Sequence, residues 1–250
     1  MGKKAMIFAA GLGTRLRPLT DHKPKALVEI NGVTMLERVL RRVIDAGCDD
    51  IVVNVCHFGE QIIDFLAAKN NFGVTIHISD ERQALLDTGG GVLAARQWLE
   101  GDEDILIHNA DILTDLDLNA MMEFHAQSGA DATLLVKPRN TARYLLFERG
   151  QMCGWTNIQT GEVKPQGLVY DAEKMQILAF GGVHVISGRI FGALEKYATE
   201  PKFSIMPFYI DSCRDIKIMG YQPAEDYQWH DIGKIESLHA AEEAMREQNM

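Results

Sequence analysis

Five short apolar runs alternate with helix-length amphipathic segments over the first 136 or so residues, and this alternation narrows the fold more than any other feature. The strand-like runs are "KKAMIFAA", "DIVVNV", "VTIHIS", "EDILIHNAD" and "DATLLVK". Between them, "TMLERVLRRVIDAG" places Leu36, Val39, Leu40, Val43 and Ile44 at helical spacing, with Gly47 as a stop. "EQIIDFLAAK", "VLAARQWL" and "LNAMMEFHAQSG" read as further helices, the second opened by a glycine-rich turn, "DTGGG". Such alternation is the signature of βαβ units and predicts an α/β fold with a doubly wound, mostly parallel sheet flanked by helices. Right-handed crossovers put ligand loops at the carboxyl ends of the strands. The loop after Ala10, the turn after Ser79 and the polar stretch Asn109–Asp111 all fall there.

After Pro138 the pattern changes. "YLLFERGQMCGWTNIQTGEV" predicts a β-meander with turns at Arg149-Gly150 and Thr160-Gly161. "QILAFGGVHVIS" is a strand carrying a glycine pair, followed by helices over "GRIFGALEKYA" and "SIMPFYIDSC", where Pro207 should start or interrupt a helix. A strand over "DIKIMGYQ" and a short strand or turn over "YQWHDIG" precede a closing helix, "KIESLHAAEEAMREQ". No linker separates the halves. The expectation is one domain over 1–250, with about 1–136 binding nucleotide and about 137–250 elaborating the substrate side.

At 250 residues, 46% hydrophobic and 24% charged, the chain is long enough for a sizeable core. It has no apolar run near membrane-spanning length. The start "MGKKAMIFAAGLG" is read as a buried strand rather than a signal peptide, and the position four after Gly2 is Met6, so myristoylation is unsupported. Cys48, Cys56, Cys153 and Cys213 form no C-x-x-C pair, which predicts reduced thiols and a cytoplasmic setting. A net charge of −10 argues against nucleic acid as a partner. Yet residues 1–25 hold six basic side chains against one acidic, while the rest hold 19 against 34. This asymmetry suggests a local anion site, unless the cluster is simply solvated.

The basic stretch is "FAAGLGTRLRPLTDHKPKAL", residues 8–27. It is not a P-loop, because no lysine follows the second glycine. It is not a dinucleotide fingerprint either, since Leu16 stands where G-x-G-x-x-G needs its third glycine, and Arg17, Pro18 and Pro24 oppose an immediate long helix. What remains is a glycine-bent loop with four cations, Arg15, Arg17, Lys23 and Lys25, whose amides can face an anion; an ordinary strand-to-helix connection is the rival.

The order Gly11, Gly13, Thr14, Arg15, Pro18, Thr20, Pro24-Lys25 resembles the signature of the sugar-1-phosphate nucleotidyltransferases (NDP-sugar pyrophosphorylases). "LLDTGGGV", "HNADIL" and "QWHDIGKIESLHAAEEA" resemble that family's base-side glycine turn, strand-end aspartate and W-x-D-x-G segment, in family order. "LLDTGGGV", "VNVCHFGEQI" and the short C-terminus look most like the N-acetylmuramate-1-phosphate uridylyltransferases and mannose-1-phosphate guanylyltransferase-like members. Two departures stand out: Asn109-Ala110-Asp111 where Gly-Asp is usual, and Lys234 where Thr usually follows.

The resemblance implies a Rossmann-like, doubly wound fold with a mostly parallel but mixed sheet, of the nucleotide-diphospho-sugar transferase type, without a C-terminal β-helix. It implies the reaction NTP + sugar-1-phosphate → NDP-sugar + pyrophosphate, with UTP or GTP favoured. Asp111 and Asp231 would hold Mg²⁺; the plainer alternatives are a helix cap and a surface turn. Arg15 would stabilise the leaving pyrophosphate and Lys25 the joining phosphates. Ala10, Gly11, Gly13, Thr14, Glu81, Thr88, Gly89 and Asn109 would hold base and ribose. Gly182, Asn157 and Lys164 are the sugar-side candidates. His57, His77, His108 and His184 show no metal-ligand spacing and are read as satisfied structural groups, and His230 as pointing away from Asp231. Competing functions are a cytidylyltransferase for an alcohol phosphate such as phosphocholine, which a cage of converging Trp155, Tyr144 and Tyr170 would favour although nothing in the sequence brings them together, a non-catalytic nucleotide-sugar-binding regulator, and a nicotinamide dehydrogenase.

Overall fold

The computed structural model describes residues 3–247. Fourteen strands and eight α-helices follow in chain order: β1 (Lys3–Phe8), β2 (Glu29–Ile30), β3 (Val33–Thr34), α1 (Met35–Asp45), β4 (Cys48–Val55), α2 (Gly59–Ala68), β5 (Thr75–Asp80), α3 (Asp87–Ala94), α4 (Arg96–Leu99), β6 (Asp104–Asn109), β7 (Ile112–Thr114), α5 (Leu118–Ser128), β8 (Ala132–Lys137), β9 (Arg143–Glu148), β10 (Gln151–Asn157), β11 (Glu162–Lys164), β12 (Met175–Ser187), α6 (Phe191–Tyr197), α7 (Ile205–Ser212), β13 (Ile218–Tyr221), β14 (Trp229–Asp231) and α8 (Ile235–Glu247).

One ten-stranded sheet runs through both halves in the order β11-β10-β13-β8-β12-β6-β1-β4-β5, with β9 pairing β10 and β12. The stretch β6-β1-β4-β5 is parallel. β12 lies antiparallel between β6 and β8, so the sheet is mixed, as expected. Its thirteen residues give β12 the length to pair with β6, β8 and β9 together, which a short crossover strand could not do.

Strand alternation feeds two cores. Ala5 and Ile7 of β1 pack with Leu36, Leu40 and Val43 of α1 and with Ile62 and Leu66 of α2. Met6, between them, packs to the other face with Val92 of α3, Phe191 of α6 and Phe208 of α7. Thr34 caps α1 by accepting from the Glu37 amide at 3.2 Å, and Asp117 caps α5 through the Ala120 amide at 3.0 Å. Pro207 sits in the first turn of α7, where its missing N–H costs no helical bond. Among the described residues no helix is long and apolar enough to cross a membrane, and all four cysteines are free thiols.

The chain runs from β1 to β4 and β5 on one side, then crosses back to β6 on the other. The crevice at the carboxyl ends of β1 and β6 is therefore a topological switch point, where doubly wound sheets leave room for a ligand.

Candidate active site

The cationic loop leaves the carboxyl end of β1. It forms no long helix, only single 3₁₀ turns at Thr14–Leu16 and Lys25–Leu27. Its first amides are held from the neighbouring strand: Ala9 N–H and Ala10 N–H donate to Asn54 Oδ1 at 2.7 and 3.3 Å. Asn54 Nδ2 donates to Glu81 Oε1 at 2.8 Å, and Glu81 Oε2 accepts from the Leu86 amide at 2.9 Å. Asn54 and Glu81 are both buried. Burial pushes the Glu81 carboxyl up, while the Leu86 amide and Asn54 pull it back down. This chain of bonds ties together the ends of β1, β4 and β5 and the approach to α3.

A cavity of about 330 Å³ opens beside it, lined by Ala10, Gly11, Lys25, Glu81, Thr88, Asn109 and Asp111 among others. Not every nucleotide-side candidate is free to meet a ligand here. Glu81 lines the wall but spends both oxygens on protein donors, so it shapes the cavity and supports Asn54. The "DTGGG" stretch is the first turn of α3 itself rather than a turn before it. The Gly89 amide donates to the Phe203 carbonyl at 2.9 Å, away from the cavity. Gly13 accepts at its carbonyl from Thr20 Oγ1 at 2.8 Å and braces the loop from behind; neither it nor Thr14 lines the cavity.

The charged rim is assembled by the two-stranded ladder of β7 and β14. Asp231 pairs with Ile112, and the Ile232 amide donates to the Asp111 carbonyl at 2.9 Å. Two aspartates far apart in sequence thus become neighbours. Each carries a cation. Lys25 Nζ donates to Asp111 Oδ2 in a close ion pair. Arg139 lies 3.8 Å from Asp231 Oδ2, with its guanidinium 5.1 Å from the Trp229 ring centre. The Arg15 guanidinium and Asp231 Oδ1 both pack over Gly233, each 3.2 Å from where a Cβ there would lie. The arrangement suits a hard divalent cation: two carboxylates, both partly exposed, with space for phosphate and water oxygens. Among the described residues no cluster of three or more His, Cys, Asp or Glu forms a cage for a metal held by protein alone.

On the other side of the rim, a cavity of about 720 Å³ is lined by Arg139, Arg143, Trp155, Asn157 and Lys164, among others. Gly182 lies buried at the bulge in β12, at φ +76°, where a Cβ would meet Ile112 Cγ1 at 2.6 Å and Asn109 Nδ2 at 3.1 Å. It therefore sits beneath the strand ends that carry the rim. Trp155 and Tyr144 line the large cavity but Tyr170 does not, and Lys164 already occupies a face of Trp155 at 5.6 Å, so the three aromatics make no choline cage.

The histidines divide. His108 Nδ1 bonds the Asn109 carbonyl at 2.9 Å and His77 Nε2 bonds Asp50 at 2.9 Å, as structural groups should. His57 is exposed beside Phe58. His184 departs from the expectation: it is buried against Phe8, Phe180 and Tyr209, and neither ring nitrogen has a hydrogen-bond partner among the described residues. His230 lines a separate cavity with Arg38 and Arg42, on the far side of β14 from Asp231.

Two functional residues escaped the sequence reading. Asn54 is the lone polar residue in "IVVNV", a signal that was there to use. Arg139 follows Lys137 after a strand, but nothing local ties it to Asp231.

The fold and rim define a class of nucleotide-handling transferase, and the comparisons agree: the chain belongs to the nucleotidyl transferase family, which it matches over residues 4–248. It is 32% identical to the N-acetylmuramate alpha-1-phosphate uridylyltransferase of Caulobacter vibrioides over 98% of both chains. It is 42% identical to the protein of the same name from Neisseria meningitidis serogroup B, over 48% of this chain and 52% of that one. A UTP–glucose-1-phosphate uridylyltransferase from Synechocystis is 28% identical over 93% of this chain and 60% of its own length. A solved UDP-glucose pyrophosphorylase complexed with UDP-glucose shares the fold, with a TM-score of 0.77 at 18% identity, covering 99% of this chain and 100% of that one. The chain is a sugar-phosphate nucleotidyltransferase, joining an NTP and a sugar 1-phosphate into an NDP-sugar with release of pyrophosphate. The dehydrogenase, cytidylyltransferase and regulator readings give way to it.

Proposed function

We propose that the protein transfers a uridylyl group from UTP to N-acetylmuramate 1-phosphate in the cytoplasm. The observation that carries the chemistry is the convergence of Lys25, Asp111, Arg15, Asp231 and Arg139 on one rim between a nucleotide-sized cavity and a larger one. The full-length likeness to the Caulobacter enzyme supports uridylyl transfer and the muramate sugar. Four free thiols suit a reducing compartment.

A sugar phosphate loses its second proton at a pKa of about 6, by analogy with phosphoserine, so its oxygen is already a nucleophile near neutral pH. A general base is not required. The obstacle is an anion attacking an anion, and positioning and charge neutralisation address it. The sugar-phosphate oxygen bonds to the α-phosphorus of UTP as the bond from that phosphorus to the pyrophosphate oxygen breaks. Lys25, on the wall of the smaller cavity, would contact both the α-phosphate and the incoming phosphate. The Arg15 fork suits the spread charge of the leaving pyrophosphate. Ala10, Gly11, Thr88 and Asn109 line the base and ribose side, while Gly13 and Thr14 shape the loop. Asn157, Lys164 and Gly182 belong to the sugar side. Asp111 and Asp231 would hold Mg²⁺, whose positive charge would supply Lewis-acid neutralisation of the phosphates.

The test is pyrophosphate release from each NTP with N-acetylmuramate, mannose and glucose 1-phosphates in Mg²⁺. UTP with the muramate sugar should be turned over fastest. Asp111→Asn and Asp231→Asn should each abolish turnover and weaken Mn²⁺ binding measured by electron paramagnetic resonance. Unchanged Mn²⁺ binding in both would remove the metal assignment.

A further inference from the structure

The large cavity has a floor of three strands. Across β9 and β10, Arg143 pairs with Asn157 and Leu145 with Trp155. Across β10 and β11, Asn157 pairs with Glu162 and Trp155 with Lys164. Cross-strand partners stand on one face of a sheet, and so do residues two apart. Arg143, Asn157 and Glu162 therefore form one row, and Leu145, Trp155 and Lys164 the next. All six line the cavity.

The charges on this wall are not equivalent. Arg139 is engaged by Asp231 at 3.8 Å. Lys164 is engaged by Glu162 at 3.2 Å and rests on the Trp155 ring. Arg143 is held by its backbone, its amide donating to Thr141 Oγ1 at 3.4 Å and its strand pairing with β10. Its guanidinium has no carboxylate or hydrogen-bond acceptor among the described residues. The substrate phosphates do not need it, because Lys25, Arg15 and Arg139 already serve the rim. A spare planar fork on the sugar wall matches a second anion, one carried by the sugar itself, and a carboxylate accepts such a fork in two parallel bonds.

We infer that Arg143 is a specificity residue that binds a carboxylate on the sugar, so that the substrate class is acidic sugar 1-phosphates rather than neutral hexose 1-phosphates. The inference rests on the reading above and deepens it. N-acetylmuramate is N-acetylglucosamine bearing a lactyl ether that ends in a carboxylate, so the two sugars differ by the group Arg143 would hold. A site built to pair a polar group discriminates strongly against the analogue that lacks it.

The experiment compares N-acetylmuramate 1-phosphate with N-acetylglucosamine 1-phosphate in the wild type, Arg143→Gln and Arg143→Lys, each at saturating UTP. In the wild type kcat/KM should favour the muramate sugar by at least about tenfold. Arg143→Gln should raise KM for the muramate sugar by about tenfold with a much smaller change in kcat, collapsing the preference. Arg143→Lys should recover part of it. Equal effects on both sugars, or no effect on either, would overturn the inference and return Arg143 to a solvated surface arginine. A wild type that uses only neutral sugars would overturn it too, while leaving nucleotidyl transfer intact. Failure to release pyrophosphate from any NTP and sugar phosphate would instead sink the underlying reading.

Discussion

Asn54 is the side chain from which the nucleotide cavity hangs. Replacing it with Ala removes two bonds to the loop at Ala9 and Ala10 and leaves Glu81 Oε1 buried without a donor. The cost should be about 1–3 kcal/mol, read as a lower urea midpoint, and UTP should bind more weakly by calorimetry. Lys25→Ala should lower kcat/KM by roughly 10²–10³-fold, comparable to losing a donor to a developing oxyanion. Lys25→Arg should not restore it, since a fork cannot replace a point charge paired to Asp111 in a tight space. At this scale the sequence was informative wherever chemistry is written as local spacing. Arg15, Lys25, Asp111 and Asp231 stand in short motifs. The Arg139–Asp231 contact is made by folding alone, and no window of sequence contains both residues.

The first turn of α3 carries three glycines where helix propensity disfavours them by roughly 1 kcal/mol each. Packing accounts for them. A Cβ would lie 2.3 Å from the Phe203 ring at Gly89, 2.1 Å from the Pro201 carbonyl oxygen at Gly90 and 2.9 Å from Glu81 Oε1 at Gly91. Gly90→Ala should therefore destabilise the protein by roughly 1–3 kcal/mol, although the same change in an open helix would stabilise it. The sign, measured by chemical denaturation, is the test. Periodicity found the long helices and strands because each buries one face of a regular repeat. It could not find β7 or the insertion of β12 beside β6. β7 is three residues long, too short to show a period, and strand order depends on partners distant in the chain.

Stability of the whole molecule should fall as pH drops. His108, His125 and His184 are buried, and burial lowers all three, to about 4 for His108 and about 3 for His184. Each is neutral in the fold and takes up a proton on unfolding below its ordinary value near 6.5. Their contribution is complete above that value and is lost as pH falls below it, at about 1.4 kcal/mol per pH unit for each group. Glu81, raised by burial, works the other way and offsets part of the loss. Urea midpoints at pH 7.5, 6 and 5 should decline in order, and His184→Phe, which removes a ring with no partner at either nitrogen, should flatten the decline. The β7–β14 ladder has a further consequence for how the protein is made. In translation the loop with Arg15 and Lys25 leaves the ribosome before the segment holding Asp231 and Gly233. A nascent chain can shape the smaller cavity early, but Asp231 comes beside Asp111 only when β14 docks on β7, so the two-carboxylate rim is complete only once the second half of the sheet is in place.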